Sequence, residues 1–459
     1  MKDIPQALGR IVGPANVLTS PADTAAYLLD WRKQYSGAAL CVARPASTDE
    51  VARSVTLCAE NGIAIVPQGG NTGLCGGSVP TGKRPEVVLS LSRVNRVRAL
   101  DALNNTITVE AGCVLAAVQD AAARAGRFFP VSLAAEGSCQ IGGNLSTNAG
   151  GVNVLRYGTA REQVLGLEVV LPNGRVLDAL RGLRKDNTGY DVKQLFLGAE
   201  GTLGIITAAV LRLYPAPTAS ATAWLAVRDP EQAVGLLSRL REGLGDRLSA
   251  FELISNACLE AVLAYAPATR QPLPGPHDWH VLAEFADSGP AEALRERVER
   301  VLGEASEAGA LVDAAIAQSV EQARAFWRIR ETIPEAQFTN VKHDISVAVS
   351  RTPEFIRTAG RALAQAYPDV RPYAFGHVGD GNIHYNVGPE RLMKERSGVN
   401  RIVYDTVAQL GGSISAEHGI GQLKREELIG QKSPVEIELM RALKQALDPR
   451  GIMNPGKVL

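Results

Sequence analysis

The sequence predicts an α+β protein with two unlike halves. In the first half, short apolar strands and helices are interleaved with glycine-rich loops. From about residue 217 onward, strands alternate with helices and extra strands appear, which is typical of a split β-α-β fold with an antiparallel sheet. With 459 residues, 46% of them hydrophobic and 21% charged, the chain is globular and long enough for about two or three domains.

Caps, turns and apolar runs define the elements of the first half. Ser47-Thr48-Asp49-Glu50 is a capping box that begins a helix, and Asn61-Gly62 ends it. The apolar segments Ala39–Ala43 and Ile63–Val66 flank this helix and complete a β-α-β unit. Further predicted elements are strands at Glu86–Leu91, Thr106–Glu110 and Gly204–Leu213, a helix at Val114–Ala125, and a hairpin of Gln163–Leu171 with Arg175–Leu177 around Asn173-Gly174.

Tyr214-Pro215-Ala216-Pro217 marks a domain boundary, because two prolines this close interrupt regular structure. After it, strand and helix patterns alternate. The predicted strands are Thr222–Val227, His280–Phe285, Ile345–Val349 and Ile383–Val387, and the predicted helices are Glu231–Leu240, Ala291–Ala308, Pro353–Ala366, about 393–409, and 434–447.

Charge and hydropathy exclude several classes of function. Lys+Arg and Asp+Glu both number 48, so the zero net charge favours neither nucleic-acid binding nor a polybasic membrane anchor. No apolar run approaches about 18 residues, and the N-terminus does not resemble a signal peptide. We therefore expect a cytoplasmic protein that is not integral to a membrane. Its six cysteines lack C-x-x-C spacing and are expected to be reduced and mostly buried, with Cys75 the one that could line a ligand.

Glycine concentrates in three loops of the first half. Pro67–Ser78 (PQGGNTGLCGGS) follows a buried strand, and its exposed backbone N–H groups suit a pyrophosphate. Glu136–Gly151 mixes glycine with Ser, Thr and Asn, as close approach to a phosphate, a ribityl chain or a flavin ring would require. Gly198–Gly204 leads into a strand. A single loop of this kind could be a tight turn, but three in one half indicate a cofactor site.

Two familiar nucleotide motifs are excluded. Gly77–Lys83 has the G-x-x-x-x-G-K spacing of a P-loop, yet Arg84 stands where Ser or Thr must hold Mg²⁺. A strand, not a helix, follows it. No G-x-G-x-x-G opens a helix after a strand, so nicotinamide binding on a Rossmann domain has no support.

The last third holds a cluster of histidines and carboxylates. Gly376–Asn386 (GHVGDGNIHYN) places His377 and His384 across a glycine turn, and His384 and Asn386 share one face of the strand Ile383–Val387. Glu417 and His418 follow in SAEHGIG. Two imidazoles and a carboxylate suit Zn²⁺ or a neighbouring first-row metal and leave positions open for a substrate. His277 and His280, in contrast, are interpreted as loop or strand-start residues.

Six ordered segments resemble FAD-dependent D-2-hydroxy acid dehydrogenases, flavoproteins of the vanillyl-alcohol-oxidase type with a PCMH-type FAD domain: PQGGNTGLCGGSVP, GGNLSTNAGGVNVLRYG, GAEGTLGIIT, GHVGDGNIHYN, SAEHGIG and DPRGIMNPGKVL. The resemblance runs from about Tyr35 to Leu459. It implies an N-terminal helical segment (1–34), an FAD-binding domain in two parts (35–216), an α+β cap domain with a ferredoxin-like antiparallel sheet and C-terminal helices (217–410), and a C-terminal segment (411–459) that returns to the FAD domain.

The resemblance assigns FAD to the first half. Covalent members of the superfamily carry a histidine in the first loop, and because Asn71 stands there we expect non-covalent FAD. The implied FAD-binding residues are Pro67, Gln68, Gly69, Gly70, Asn71, Thr72, Gly73, Leu74, Ser78, Gly137, Gly142, Asn144, Thr147, Asn148, Gly150, Gly151, Glu200, Gly201, Gly204, Ile206 and Asn454.

In the second half, the resemblance makes His377, His384 and Glu417 ligands of one divalent metal, with zinc, manganese or iron compatible with these ligands. His418 is implied as the general base that removes the substrate hydroxyl proton while the C2 hydride passes to flavin N5. The metal would polarise the hydroxyl and the carboxylate.

The substrate is expected to be a D-2-hydroxy acid with two carboxylates. Arg330, Lys342 and Asn386 match substrate-binding residues of the D-2-hydroxyglutarate branch of the family. A dicarboxylate needs a second cation, so the expected substrate is D-2-hydroxyglutarate, with D-malate as a further candidate. One departure is Pro334, where the family has a threonine. Oxidation of D-lactate on the same scaffold is the first alternative.

Two other classes of function are also considered: a flavin oxidase that uses O₂ directly, and a non-catalytic metal- or ligand-binding protein on a flavin-free fold. The expected electron acceptor is an electron-transfer flavoprotein or a quinone. The family resemblance further implies a homodimer.

Overall fold

A computed structural model describes residues 3–459, which form two compact units. The first unit comprises the described residues up to Gly151, together with Gly158–Ala216 and Glu417–Leu459, and the second comprises Val152–Tyr157 and Pro217–Ala416. The N-terminal residues therefore belong to the first unit. The second unit extends to Ala416, beyond the boundary expected after residue 410.

The secondary structure of residues 3–459 is as follows. The α-helices are α1 (Ile4–Val12), α2 (Pro21–Leu28), α3 (Thr48–Glu60), α4 (Leu115–Arg124), α5 (Ile141–Ser146), α6 (Val154–Tyr157), α7 (Pro230–Leu244), α8 (Asn256–Tyr265), α9 (Ala291–Glu307), α10 (Val320–Ala336), α11 (Thr352–Ala366), α12 (Arg396–Gln409), α13 (Arg425–Gln431) and α14 (Pro434–Leu447). The strands are β1 (Val17–Leu18), β2 (Cys41–Ala43), β3 (Ala64–Gln68), β4 (Glu86–Ser90), β5 (Val97–Asp101), β6 (Thr106–Glu110), β7 (Arg127–Phe128), β8 (Val164–Val170), β9 (Val176–Ala179), β10 (Ile205–Arg212), β11 (Tyr214–Pro215), β12 (Ala219–Val227), β13 (Leu248–Ser255), β14 (Trp279–Asp287), β15 (Asp313–Ile316), β16 (Val341–Ser346), β17 (Arg371–Gly376) and β18 (Asn382–Gly388). Short 3₁₀ helices span Pro14–Asn16, Ala160–Gln163, Val192–Leu195, Gly245–Arg247, Val349–Arg351 and Glu390–Glu395.

The first unit contains a small, mostly parallel sheet with strand order β1-β2-β4-β3. Strands β2 and β3 both run parallel to β4, which lies between them. Helix α3 connects β2 to β3, and it begins where expected because the Ser47 side chain accepts a hydrogen bond from Glu50 N. The predicted β-α-β unit is therefore present.

The second sheet of the first unit is antiparallel and has strand order β5-β6-β10-β8-β9. The predicted hairpin is present as β8 and β9, which pair antiparallel from Val170 opposite Val176 to Leu167 opposite Ala179. A single apolar core unites both sheets with helices α1, α3 and α4. The C-terminal tail also joins this unit, because Ile65 N donates to Ile452 O and Asn454 N donates to Ile65 O, both at 2.8 Å.

The second unit is a seven-stranded antiparallel sheet with order β15-β12-β14-β13-β17-β18-β16 and helices on both faces. Helices α7, α9, α11 and α12 pack on one face, and α8 and α10 pack on the other. The prediction of an α+β protein with an antiparallel sheet is confirmed. The face beneath α8 and α10, defined here as the α10 face, carries the candidate site residues described below.

Several elements of this unit differ from the sequence prediction, which did not include α6, α8, β15 or β17. The strand expected at Ile345–Val349 is instead β16 (Val341–Ser346), and Val349 already begins a 3₁₀ turn. Strand β13 was not predicted, because all eight of its residues are buried and it lacks alternation. Helix α10 was also missed, since Pro334 lies inside it and interrupts the helical pattern.

Two further findings concern the whole described chain. All six cysteines are buried free thiols, as predicted, and burial raises the pKa of Cys41 and of Cys58 to about 12. No helix within residues 3–459 combines the length and apolar character needed to cross a membrane.

Candidate functional site

The three glycine loops of the first unit converge on one cavity of about 870 Å³, including the part open to solvent. The residues that line it are Pro67, Gln68, Gly69, Gly70, Asn71, Thr72, Gly73, Leu74, Cys75, Gly77, Ser78, Leu91, Gln140, Gly142, Gly143, Asn144, Ser146, Thr147, Glu200, Gly201, Gly204, Ile205, Ile206 and His418.

The first loop leaves strand β3 and packs backbone to backbone against the second. A Cβ atom at Gly70 would lie 2.1 Å from Ser138 O, so only glycine permits this approach. Asn71 adopts a positive φ of 53°, and its side chain donates to Leu29 O at 2.9 Å while accepting from Ser78 Oγ at 2.7 Å. These contacts with the rest of the protein therefore fix the shape of the loop.

The second loop contributes the short helix α5 and the residue before it. A Cβ atom at Gly142 would lie 2.7 Å from the Ala111 Cβ, so glycine is again required for packing. Gln140 is largely buried, and its Oε1 has no hydrogen-bond partner among the described residues. A buried acceptor of this kind at a cavity wall is expected to meet a donor on a ligand.

Glu200 joins the third loop to the segment that carries His418. Its two carboxylate oxygens accept hydrogen bonds from Ile420 N at 2.6 Å and Gly421 N at 2.8 Å. Burial raises the pKa of Glu200, although these two N–H groups and Lys424 oppose the rise. Gly419, between His418 and these two residues, has a positive φ of 75° and forms a turn. The two hydrogen bonds to Glu200, called here the Glu200 clamp, fix this turn directly after His418, which lines the cavity.

Most of the residues that the resemblance assigns to FAD line this cavity, and five do not: Gly137, Asn148, Gly150, Gly151 and Asn454. Asn148 Oδ1 instead accepts from Arg161 N, and Gly151 N donates to Glu417 Oε1 at 2.5 Å. Asn454 Nδ2 ties the C-terminal tail to Gly77 O and Glu200 O.

The individually assigned FAD-binding residues did not include Leu91, Gln140, Gly143, Ser146 and Ile205, all of which line the cavity. Gly143 and Ser146 lie within the quoted second loop and could have been included. Leu91 and Ile205 follow or begin buried strands, and only the tertiary packing shows that their ends reach the cavity.

In the second unit, the α10 face assembles the remaining candidates from adjacent strands. Lys342 pairs with Asn386, and Asp344 pairs with His384, across β16 and β18. Phe375 of β17 pairs with His384 on the other side of β18. Residues that pair directly share one face of a sheet, so the predicted common face of His384 and Asn386 also includes Lys342.

Arg330 reaches this face from helix α10 and is only 7% exposed, which excludes an ordinary solvated charge. Its Nε donates to Glu252 Oε2 at 2.6 Å, and its guanidinium carbon lies 4.9 Å from the centre of the Phe375 ring. Glu252 is fully buried. Burial would raise the pKa of the Glu252 carboxyl, but His377 and Arg330 outweigh burial and lower it to about 2.

The two candidate metal-ligand histidines of this unit are neighbours, with ring centres 5.7 Å apart. His377 follows β17, and its Nδ1 is hydrogen-bonded to Glu252 Oε1. His384 Nδ1 lies 3.7 Å from Asp344 Oδ1, which also accepts from Asn382 Nδ2 at 2.9 Å. Sequence reasoning missed both Glu252 and Asp344, since neither belongs to a recognised motif.

Glu417 and His418, the other two members of the predicted cluster, belong to the first unit. Ala416, the residue before Glu417, is the last of the second unit, and its N lies 3.4 Å from Asp344 O.

The substrate candidates Lys342 and Asn386 have defined partners. Lys342 is partly buried, and its Nζ donates to Pro334 O at 2.9 Å beside the Phe338 ring. Asn386 Nδ2 donates to Gln337 Oε1 at 2.8 Å. The proline that replaces the family threonine thus still offers Lys342 an acceptor, through its carbonyl group.

His277 and His280 lie apart from these candidates, as predicted. His277 is in a loop, and His280 is buried on β14, where Trp224 Nε1 donates to its Nδ1 at 3.2 Å. Burial lowers the pKa of His280 to about 4, so the ring is neutral at pH 7.

Two family models match this chain. Residues 39–180 match an FAD-binding domain, and residues 216–458, more than half of the chain, match the C-terminal domain of FAD-linked oxidases. The chain belongs to the FAD-linked oxidase family. The chain is an FAD-dependent oxidoreductase, and the cavity fits that cofactor by its three glycine loops and by the unpartnered acceptor of Gln140.

Curated relatives can be aligned with this chain over almost its whole length. The mitochondrial D-2-hydroxyglutarate dehydrogenase of Arabidopsis thaliana is 38% identical over 98% of this chain and 80% of its own length. The D-2-hydroxyglutarate dehydrogenase of Xanthomonas citri is 39% identical over 98% and 96%, and the mitochondrial enzyme of Bos taurus is 39% identical over 99% and 82%.

Solved structures confirm that the chain has the PCMH-type fold, which is named after p-cresol methylhydroxylase. p-Cresol methylhydroxylase with substrate bound superposes with a TM-score of 0.78 at 19% identity, over 99% of this chain and 96% of that one. Alkyldihydroxyacetonephosphate synthase gives a TM-score of 0.75 at 19% identity, over 99% and 84%. At this identity the likeness concerns the fold alone.

Proposed function

We propose that this FAD-dependent oxidoreductase oxidises D-2-hydroxyglutarate to 2-oxoglutarate. Its curated relatives from plants, bacteria and animals are D-2-hydroxyglutarate dehydrogenases. The observation that carries the proposal is that two cations, Arg330 and Lys342, belong to the same α10 face as His384 and Asn386. Two carboxylates require two cationic partners, whereas a monocarboxylate such as lactate requires one.

His418 is proposed as the general base. It lines the cofactor cavity, and the Glu200 clamp holds the turn that follows it. A neutral imidazole accepts the proton of the substrate hydroxyl at its unprotonated ring nitrogen. FAD, when bound, supplies the acceptor for the C2 hydride, at flavin N5. The proposal also takes FAD to be non-covalent, since Asn71 offers no nucleophilic nitrogen of the kind that histidine provides.

His377, His384 and Glu417 are proposed to hold a divalent metal, with zinc first and manganese or iron as alternatives. The donor set fits, because two imidazoles and a carboxylate are ligands that all three ions accept. Because His377 Nδ1 is hydrogen-bonded to Glu252, Nε2 is the ring nitrogen proposed to bind the metal. A bound metal would supply Lewis acidity towards the substrate hydroxyl and carboxylate. Asp344 beside His384 is a further oxygen donor.

D-Malate is proposed as a second substrate. Pro334 has no side-chain hydroxyl, and its carbonyl already accepts from Lys342. The pocket for the distal carboxylate therefore has one donor fewer than the family pattern, which weakens its preference for the longer diacid.

Anaerobic stopped-flow measurement of flavin reduction tests the proposal with D-2-hydroxyglutarate, D-malate, D-lactate and their L-enantiomers. The expected result is rapid reduction by the two D-diacids and slow reduction by D-lactate. Rapid reduction by D-lactate alone would replace the proposal by the first alternative, and a purified protein without flavin bands would exclude all flavoenzyme functions. Release of peroxide during turnover would instead indicate a direct oxidase.

Three further expectations remain proposals. The electron acceptor is proposed to be an electron-transfer flavoprotein or a quinone, and the enzyme is proposed to be a homodimer in the cytoplasm. The plant and animal relatives carry the word mitochondrial in their names, so fractionation of the native cell is the measurement that decides the compartment.

A further inference from the structure

Glu252 is a fully buried carboxylate to which the proposed reaction gives no role. It lies in β13, all of whose residues are buried, on the face of the sheet covered by α10. An unpaired charge at such a position is strongly unfavourable, because burial removes the water that would otherwise solvate it. A carboxylate at this position therefore depends on the groups around it.

The two oxygens of Glu252 have different partners. Oε2 accepts from Arg330 Nε at 2.6 Å, and Oε1 is bonded to His377 Nδ1. One side chain thus joins the proposed carboxylate-binding cation to a proposed metal ligand.

The bond to His377 selects one of its two ring nitrogens. When a carboxylate accepts from Nδ1–H, the imidazole is held in the tautomer whose lone pair is on Nε2. The same bond limits rotation of the ring about its χ2 angle. His377 is only 7% exposed, so little else than its neighbours determines this orientation.

The bond to Arg330 selects one edge of its guanidinium group. With Nε directed at Glu252, the edge formed by Nη1 and Nη2 is the one that can pair with a carboxylate in a bidentate manner. Phe375 supports the flat side of the same group, and its ring centre lies 5.1 Å from that of His384. Five side chains consequently contact one another in a closed circuit: Glu252, Arg330, Phe375, His384 and His377.

We propose that Glu252 is a positioning residue, which holds the metal-binding imidazole of His377 and the carboxylate-binding guanidinium of Arg330 in one fixed arrangement. The inference rests on the proposed function, because that function gives both partners their roles. It adds that metal affinity and substrate affinity are coupled through a single carboxylate.

Glu252→Gln tests the inference, with Glu284→Gln as a matched control. Glu284 lies on the neighbouring strand beneath the same helix, and its Oε2 accepts from Trp327 Nε1 at 2.6 Å, but it contacts neither Arg330 nor His377 in the described hydrogen bonds. Both proteins are prepared with FAD bound, stripped with EDTA and titrated with Zn²⁺. Glu252→Gln should bind Zn²⁺ about 10–100-fold more weakly, as expected for loss of a carboxylate behind a ligand histidine. Glu284→Gln should stay within about 2-fold of wild type.

Kinetics at saturating Zn²⁺ separate the two roles of Glu252. Excess metal should restore the kcat of Glu252→Gln to within about 3-fold of wild type, while the KM for D-2-hydroxyglutarate stays raised about 10-fold because Arg330 is no longer oriented. A purely structural role would lower the melting temperature and leave both affinities unchanged. Zn²⁺ affinity and KM that match those of wild type in a folded Glu252→Gln protein would overturn the inference.

Glu252→Asp decides the question if the glutamine variant does not fold. It keeps the charge, but its shorter side chain cannot reach both partners, so Zn²⁺ affinity or KM should still change by about 3-fold or more. Wild-type values for both would refute the inference. Failure of the proposed function can be distinguished from failure of this inference. If the proposed function is wrong, D-2-hydroxyglutarate does not reduce the flavin of the wild-type protein, and the Zn²⁺ titrations still test the role of Glu252 at His377. Wild-type protein that binds none of Zn²⁺, Mn²⁺ and Fe²⁺ would refute that role as well as the metal site.

Discussion

Replacing Lys342 with methionine should separate dicarboxylate from monocarboxylate substrates. The substitution removes the ammonium group but keeps an unbranched side chain against the Phe338 ring, whose centre lies 5.4 Å from Nζ. The bond that Lys342 makes to Pro334 O has a charged donor, but solvent screens it because Lys342 is partly exposed, so its loss should cost only about 0.5–1.5 kcal/mol of stability. The folded protein should therefore remain available for kinetics.

The effect on the diacid should be larger. A hydrogen bond between charged groups contributes about 1.5–3 kcal/mol, and the partial exposure of Lys342 favours the lower half of this range. A loss of about 1.5–2 kcal/mol corresponds to a fall of about 10–30-fold in kcat/KM for D-2-hydroxyglutarate. D-Lactate, which lacks the distal carboxylate, should lose less than about 3-fold.

Stopped-flow bleaching of the flavin near about 450 nm under anaerobic conditions measures both substrates with one protein preparation. Arg328→Met is the control for loss of a cation, because Arg328 lies on α10 but is exposed. It should change neither substrate's rate. Equal losses for D-2-hydroxyglutarate and D-lactate in Lys342→Met would refute the assignment of Lys342 to the distal carboxylate.

Three further predictions concern Arg330, the metal and His280. Arg330→Gln leaves the buried Glu252 carboxylate without its guanidinium partner, so it should reduce stability by about 3–5 kcal/mol in calorimetry and impair turnover of both diacids and D-lactate, whereas Arg328→Gln should do neither. Chelation with EDTA should abolish turnover while the flavin absorbance stays with the protein, and turnover that survives complete metal removal would contradict the metal site. Because the pKa of His280 is lowered to about 4, only the unfolded chain takes up its proton between pH 6.5 and 4. Stability should therefore fall by up to about 3 kcal/mol over that window as the pH is lowered. His280→Gln should flatten this part of the stability profile; a profile unchanged by His280→Gln would contradict the reasoning.

The sequence predicted those elements whose stabilising hydrogen bonds join residues close together in the chain. The capping box at Ser47 and the turn at Asn173-Gly174 act through hydrogen bonds within a few residues, and the structure contains both elements. Helix α14 was predicted with its observed bounds, since Ser433 and Glu436 form a capping box and Pro434 stands at the first helical position.

Elements whose stability comes from long-range packing were not predicted. Strand β13 is buried on both faces and has no period-2 pattern. Helix α10 contains Pro334, which removes one backbone hydrogen bond, and contacts with the sheet compensate for this loss. The same limitation hid Glu252, because nothing within its own strand indicates that Arg330 and His377 lie on either side of it.

The sequence by itself predicted which groups could take part in the chemistry. Glycine in three loops predicted a cofactor site and the histidine and glutamate cluster predicted a metal site, while the family resemblance implied FAD and an anionic substrate bound by two cations. Only the tertiary structure decided how these groups are connected. The register of β16, β17 and β18 puts Lys342 beside Asn386, and α10 brings Arg330 over Phe375. Strand register and helix packing are set by burial of the whole apolar surface, and no short segment of sequence contains that information.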